Sequence, residues 1–265
     1  MIESEDTGGT KIFQTPMVKE DAYSQYPIDI LIPFHGQYQR VYQLCQGIWR
    51  SLGSRFNYQI CLIDDHSPNT HFINGFTKAP KTMCIRNKSQ LGFGGALEAG
   101  FLQTKSPWMV IMHSDTVPET PLWLGQLIDS FNALQPQKVA MVSARTDNPG
   151  EGYNTLLKGS KNQPTQDVIL REGVLPLYCA FCPRTLFKRI GGFIKAYPFA
   201  WYESEELAAR MKKCGYTQGI SGNSWIRHIG EATLMEVWKT NPKAKGIMES
   251  NHDRCVADIG RLGKI

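Results

Sequence analysis

Trp108-Met-Val-Ile-Met-His-Ser-Asp115, followed by Thr-Val-Pro118, is the stretch on which the reading of the chain turns. Trp108 to Met112 is a short, unbroken apolar run of strand-forming residues, which predicts a buried strand. It stops on His113, Ser114 and Asp115. A buried strand that presents a carboxylate at its C-terminal end is how open α/β sheets aim chemistry into a crevice. The same aspartate could simply cap the helix suggested by Pro121-Leu-Trp-Leu124, and locally the two readings stand level. The neighbouring segments decide between them.

Outward from that strand, Ile28-Asp-Ile-Leu-Ile-Pro33 predicts a first strand, ended by proline. Val41, Leu44, Cys45, Ile48 and Trp49 lie at helical spacing before Gly53. Tyr58 to Ile63 predicts a second strand running into Asp64 and Asp65, and Thr82 to Ile85 a third. A helix opens near Gly92, Gly94 and Gly95, and others are expected over Leu122–Leu134, Arg184–Ile190 and Glu203–Cys214. Further strands are expected at Val139–Ser143, Leu177–Cys182 and Ser224–Arg227. Strands alternating with helices make βαβ units and a mostly parallel sheet with helices on both faces. Three strand ends, Pro33–Gly36, Asp64–Asp65 and His113–Asp115, should then meet at one C-terminal edge. Glycines at a helix start offer backbone N–H groups to an anion, or else allow close helix–strand packing. They form neither a dinucleotide fingerprint, because position 97 is Leu97, nor a P-loop, because no Lys-Ser/Thr follows.

Residues 1–26 show no sustained periodicity and read as a loose arm, and 146–175, rich in Gly, Asn, Pro and Lys, as a binding or lid loop. The expected division is a first half over 27–145, a second half over 146–233 and a helical tail over 234–265. Composition is that of an ordinary globular chain, 42% hydrophobic and 20% charged. No apolar run reaches the roughly 18 residues of a membrane span, and the acidic start is not a secretory signal, so a cytoplasmic location is expected. The seven cysteines are scattered, and the single Cys179-Ala-Phe-Cys182 pair is short of a zinc site. A net charge of +5 permits a polyanionic partner without requiring one. The basic groups Arg184, Lys188, Arg189 and Lys239, Lys243, Lys245 read either as solvated faces or as phosphate-binding patches.

In order along the chain, several segments resemble the family-two glycosyltransferases of the GT-A fold. Ile28 to Gly36 is similar to that family's opening strand, Cys61-Leu-Ile-Asp-Asp-His-Ser67 to its Val-Asp-Asp-Gly-Ser segment, and Arg86 to Ala96 to its Asn-x-Gly-x-x-x-Ala stretch. His113-Ser-Asp115 stands where the family has Asp-x-Asp. Ile190-Gly-Gly-Phe193, Tyr202 to Arg210 and Ile226-Arg-His-Ile-Gly230 resemble its later elements. The resemblance implies a GT-A-type α/β fold, continuous with a smaller acceptor-binding part. It also implies transfer of a sugar, with inversion, from a UDP-, GDP- or dTDP-sugar.

On the donor side the resemblance places Pro33, His35, Asp65, Arg86, Gly92, Gly94, His113, Ser114 and Asp115, with Asp65 accepting from the base. Mn²⁺ or Mg²⁺ would sit on Asp115 and His228. His113 departs from the family pattern by replacing a carboxylate. So does Ser204, which stands where the catalytic Asp is usual and cannot act as a base unaided. Glu203 therefore becomes the expected base, with Glu205 second. These changes also suit a catalytically degenerate module that only binds a nucleotide sugar. A nucleotidyltransferase is the less suited alternative, lacking a Gly-rich loop with Arg or Lys after the first strand. The acceptor is expected to be a glycan precursor or a hydroxymethylated base in DNA.

Overall fold

Period-two alternation along the first strands sorts the core into two layers. Ile28, Ile30, Ile32 and Phe34 face one side with Tyr58, Ile60, Leu62, Val110 and Met112. Leu31, Cys61, Ile63, Met109 and Ile111 face the other. A strand buried on both faces reads as a continuous apolar run, which is why these strands are visible in the sequence.

The structure, a computed structural model, describes residues 4–5, 11–14, 20–147, 167–171, 174–193, 197–230 and 243–262. Its strands are β1 (Ser4–Glu5), β2 (Lys11–Gln14), β3 (Ile28–Phe34), β4 (Tyr58–Asp64), β5 (Thr82–Arg86), β6 (Trp108–Met112), β7 (Thr116–Pro118), β8 (Val139–Thr146), β9 (Asp167–Arg171), β10 (Cys179–Pro183) and β11 (Thr217–His228). Its helices are α1 (Tyr38–Leu52), α2 (Ile73–Thr77), α3 (Gly92–Gln103), α4 (Trp123–Ala133), α5 (Arg184–Arg189), α6 (Glu203–Lys213) and α7 (Ala244–Leu262).

The sheet runs β1-β2-β9-β11-β8-β10-β6-β3-β4-β5, with β7 added to β11. The strands β5, β4, β3 and β6 are parallel neighbours. The chain leaves β3 toward β4 and β5 and returns to β6 on the other side, so the strand order reverses between β3 and β6. The crevice outside that reversal is where open α/β sheets bind ligands. Residues of α1 and α4 fill the first core layer, and those of α3, α5 and α6 the second. Helices therefore cover both faces, as the α/β reading expects.

Beyond β6 the sheet becomes mixed, and here the structure departs from the sequence reading. The stretch read as a loose arm carries β2, which pairs antiparallel with β9 from Lys11↔Leu170 to Gln14↔Asp167. The 146–175 loop is not loop throughout, because β9 lies within it; residues 148–166 and 172–173 lie outside the described residues. Strand β11 starts at Thr217, well before the expected Ser224. The tail is helical over α7, while 231–242 lie outside the described residues. Cys179 and Cys182 belong to opposite core layers, which rules out a shared metal at the C-x-x-C.

Arg184 is also not where a surface patch would have it. Its guanidinium bonds Asp29 Oδ2 at 2.9 Å, Thr104 Oγ1 at 2.7 Å and the carbonyls of Phe101 and Ser106. Both members of the Arg184–Asp29 pair are buried. Strand β10 sets Pro183 opposite Trp108, so Arg184 lies at the start of β6, roughly 20 Å from His113 at about 3.3 Å per residue. Arg189 bonds Tyr216, just before β11 begins, at the same edge. The Arg184, Lys188 and Arg189 group thus faces away from the crevice. Arg184→Met should cost about 3–5 kcal/mol in chemical denaturation by stranding the Asp29 charge, while nucleotide binding by the folded fraction stays unchanged.

Candidate active site

The short strand β7 does most to build the site. Leaving β6, the chain turns through His113–Asp115, with the Thr116 hydroxyl donating to the His113 carbonyl at 2.7 Å. Strand β7 then pairs antiparallel with the end of β11, setting Thr116 opposite His228. The Ile229 N–H donates to the Asp115 carbonyl at 3.0 Å. Asp147, just past β8, accepts the His228 N–H at 3.0 Å. Two residues more than a hundred positions apart in sequence are thereby fixed side by side.

His228 Nε2 lies 3.5 Å from Asp115 Oδ1, and His113 Nδ1 lies 4.0 Å from the same oxygen. One ligand atom from each of the three residues falls within 4.8 Å of the others, the spacing a single metal ion needs. His228 stacks on Tyr178 with centroids 5.4 Å apart, and His113 meets the Phe93 ring edge-on at 4.9 Å. The Tyr178 carbonyl accepts the His113 N–H at 2.9 Å. The cluster is therefore held from β6, β10, β11 and α3 together.

The electrostatics suit a cation. Burial would push the Asp115 carboxyl up, but the hydrogen bond from His228 and the charge of both imidazoles hold it at about 2. Burial lowers His113 to about 4, with His228 adding to the effect and Asp115 opposing it. At neutral pH the site thus offers an ionised carboxylate and a neutral imidazole, the protonation states that metal ligation needs. In the sequence His113 stands only as the replacement of a carboxylate; the geometry brings it in as a third candidate ligand. Two imidazoles and one carboxylate match Mn²⁺ and later first-row ions better than Mg²⁺, which prefers oxygen ligands.

The donor-side residues are placed less simply. His35 Nδ1 donates to the Asp65 carbonyl at 2.8 Å. Asp65 Oδ1 accepts from Asn87 Nδ2 and the Leu91 N–H, and Oδ2 from the Gly92 N–H, each at 2.8 Å. A carboxylate accepts about four hydrogen bonds, so capacity remains on Oδ2. Arg86, expected on the donor, bonds Asp64 and the Ser67 carbonyl and braces the β4–β5 edge.

The glycine-rich start of α3 is not open to a phosphate. Asp65 takes the Gly92 N–H, and the Phe199 carbonyl takes the Phe93 N–H at 2.7 Å. Gly92 itself has φ +78°, and a Cβ there would come within 2.7 Å of the Phe199 backbone. Gly92 serves close packing here, the second of the two roles the sequence allowed.

Glu203 opens α6, directly after the segment that packs on Gly92. Burial pushes its carboxyl up to about 8. Its own N–H and those of Trp201 and Gly94 pull it down in part, and the Glu205 charge pushes it further up. One of its oxygens, Oε1, is buried without a hydrogen-bond partner. A carboxyl whose pKa lies near the working pH is suited to act as a general base. The first turn of α3 joins it to the metal cluster, through Gly94 to Glu203 and through Phe93 to His113. Glu206 has a different task. It forms a bidentate pair with Arg210, whose guanidinium also holds the Ile190 and Gly192 carbonyls. Tyr178 and Phe93 were not singled out in the sequence. Both look like core aromatics there, and only their partners reveal their place at the site.

Fold and site together define an α/β protein of the GT-A type. Residues 29–191 match the family described as glycosyl transferase family 2, and the chain belongs to that family. No curated protein matches it by sequence. Among solved structures it is similar to GalNAc-T7, solved with UDP, GalNAc and Mn²⁺ (TM-score 0.64, 12% identity, covering 77% of this chain and 44% of that one). It is also similar to the mannosyltransferase PcManGT from Pyrobaculum calidifontis, in complex with GDP-Man and Mn²⁺ (TM-score 0.58, 13% identity, covering 89% of this chain and 73% of that one). At these identities the likeness is one of fold. The chain spans less than half the length of the first and about three quarters of the second. Among the described residues no helix is long and apolar enough to cross a membrane.

Proposed function

We propose that this protein is a metal-dependent glycosyltransferase, moving a sugar from a nucleoside-diphosphate sugar to an acceptor hydroxyl with inversion. The observation that carries this reading is the His113, Asp115 and His228 cluster at the reversal point of the sheet. Those three residues would hold Mn²⁺, which when bound neutralises the leaving diphosphate and acts as a Lewis acid. Asp65, with Pro33 and His35 beside it, would accept a hydrogen bond from the nucleotide base. Ser114 lies between the two metal ligands on the donor side. Glu203 would take the proton of the acceptor hydroxyl as its oxygen attacks the anomeric carbon. Attack opposite the leaving diphosphate, in one displacement, inverts that carbon. Glu205 is the second candidate for the base.

A glycan precursor is the proposed acceptor. A hydroxymethylated DNA base calls for a basic face beside the crevice to hold the phosphates; of the two basic groups in the sequence, the one with Arg184 and Arg189 lies at the other sheet edge, and Lys239 of the second lies outside the described residues. The test is release of nucleoside diphosphate from a panel of UDP-, GDP- and dTDP-sugars with Mn²⁺, with glycan acceptors and hydroxymethylcytosine DNA in parallel. One donor should be turned over, dependent on Mn²⁺, with no transfer to DNA. Binding of a nucleotide sugar without any turnover would make the protein a degenerate binding module instead.

A further inference from the structure

The segment before α6 is strained, and α7 holds it. The Ala200 N–H bonds the Pro198 carbonyl at 3.0 Å, and Phe199 between them has φ +64°. That is a γ-turn with its central residue in the rare, strained half of backbone space. Trp201 and Tyr202 follow at φ +82° and +73°. Left-handed backbone at bulky residues costs of order 1–3 kcal/mol each and persists only where the surroundings over-determine it. Nothing in the composition of Phe199-Ala-Trp-Tyr202 favours it.

Groups on α7 and α3 over-determine the turn. Asn251 of α7 is 2% exposed. Its Nδ2 donates to the Pro198 carbonyl at 3.0 Å and to the Ala200 carbonyl at 2.9 Å, bridging the two ends of the γ-turn with one amide. The carbonyl at the apex, Phe199, accepts from Phe93 of α3. Further along, Tyr197 donates to Asp258, and Cys255 Sγ lies 3.9 Å from the Tyr202 carbonyl. The turn is thus clamped between α3, which borders the metal cluster, and α7. Its exit is Glu203.

We infer that Asn251 is a positioning residue: its two hydrogen bonds hold the 198–202 turn in the strained form that sets Glu203 at the crevice. The inference rests on the reading of Glu203 as the base, and it adds α7, outside the matched residues 29–191, to the working parts of the enzyme. Only a carboxamide of this length meets both carbonyls. Aspartate has the same shape but places an acceptor against two acceptors, and alanine removes the bridge.

The test compares Asn251→Asp and Asn251→Ala with wild type by hydrogen exchange and by steady-state kinetics with Mn²⁺. Exchange over residues 197–206 should speed up at least ~10-fold in both variants and stay unchanged over 28–34. In the same proteins kcat should fall roughly 10- to 100-fold, the usual cost of a small misplacement, with donor KM within about 2-fold of wild type. Unchanged exchange over 197–206 would overturn the inference, whatever the kinetics. So would faster exchange with kcat intact, or equal loss in kcat and donor affinity. If wild type turns over no donor, the functional reading fails on that result, and exchange alone still decides whether Asn251 holds the turn.

Discussion

Asp115→Ala should abolish Mn²⁺-dependent transfer, with turnover falling more than about 100-fold. Removing an outer partner of a metal ligand commonly costs 10- to 100-fold, and Asp115 is the one anionic candidate ligand in the cluster. Both imidazoles sit against its Oδ1, His228 Nε2 at 3.5 Å and His113 Nδ1 at 4.0 Å. Without it, two imidazoles and no carboxylate would be left to hold a divalent cation beside a diphosphate. Asp115→Asn keeps the volume and the backbone turn and should lose nearly as much, which separates loss of charge from loss of fold. The measurement is kcat/KM for the donor at saturating Mn²⁺, with thermal unfolding as the control for folding. Activity in Asp115→Ala within a few-fold of wild type would place the metal elsewhere.

Glu203→Gln should lower kcat by about 10²- to 10⁴-fold, the span a general base contributes, and leave donor KM unchanged. The amide keeps the size of the side chain and cannot take the acceptor proton. The wild-type pH profile carries a second signature. A base works in its ionised form, and burial holds this one up to about 8. The wild-type kcat should therefore rise with pH and level off above about 8, and Glu203→Gln should lose that rise along with the rate. Glu205→Gln should leave both within a few-fold of wild type. If Glu205→Gln is the variant that loses the rise, the two glutamates exchange roles.

The parts legible in the sequence were those whose burial is written in apolar residues. Strands β3, β4 and β6 are continuous hydrophobic runs because both their faces are covered, and the helical spacing of Val41, Leu44, Cys45 and Ile48 follows from one buried stripe. The part of β11 before Ser224 was hidden for the opposite reason. Gln218, Ser221 and Asn223 are polar yet buried. Ser221 bonds Ser130, Asn223 and the Gln126 carbonyl, and Ser224 bonds the Trp123 carbonyl, so α4 satisfies this strand with hydrogen bonds rather than apolar contact. Gly219 lies against Leu134, where a Cβ would come within 2.4 Å of that side chain. Hydropathy cannot report such a strand.

The site was legible in its pieces and not in its assembly. Asp115 and His228 stand out at the ends of strands, but the ligand set depends on the pairing of β7 with β11, and β7 is three residues long. That pairing sets His228 beside the turn carrying His113, and makes an apparent loss of a carboxylate a gain of an imidazole. Arg184 misled in the other direction. A basic cluster in sequence reads as surface, whereas the partners that bury Arg184, at Asp29, Phe101 and Thr104, are about 80 to 155 residues away.

Electron paramagnetic resonance of Mn²⁺ tests the central claim most directly, because it reads the ion rather than the product. Titrating the protein into Mn²⁺ with UDP, GDP or dTDP should, with one of them, deplete the free-ion signal to one equivalent in wild type. Depletion should be lost in Asp115→Ala and weakened at least ~10-fold in His113→Ala and in His228→Ala. Full depletion in all three variants, or none in wild type with UDP, GDP or dTDP, would contradict a metal-dependent nucleotide-sugar site at this crevice.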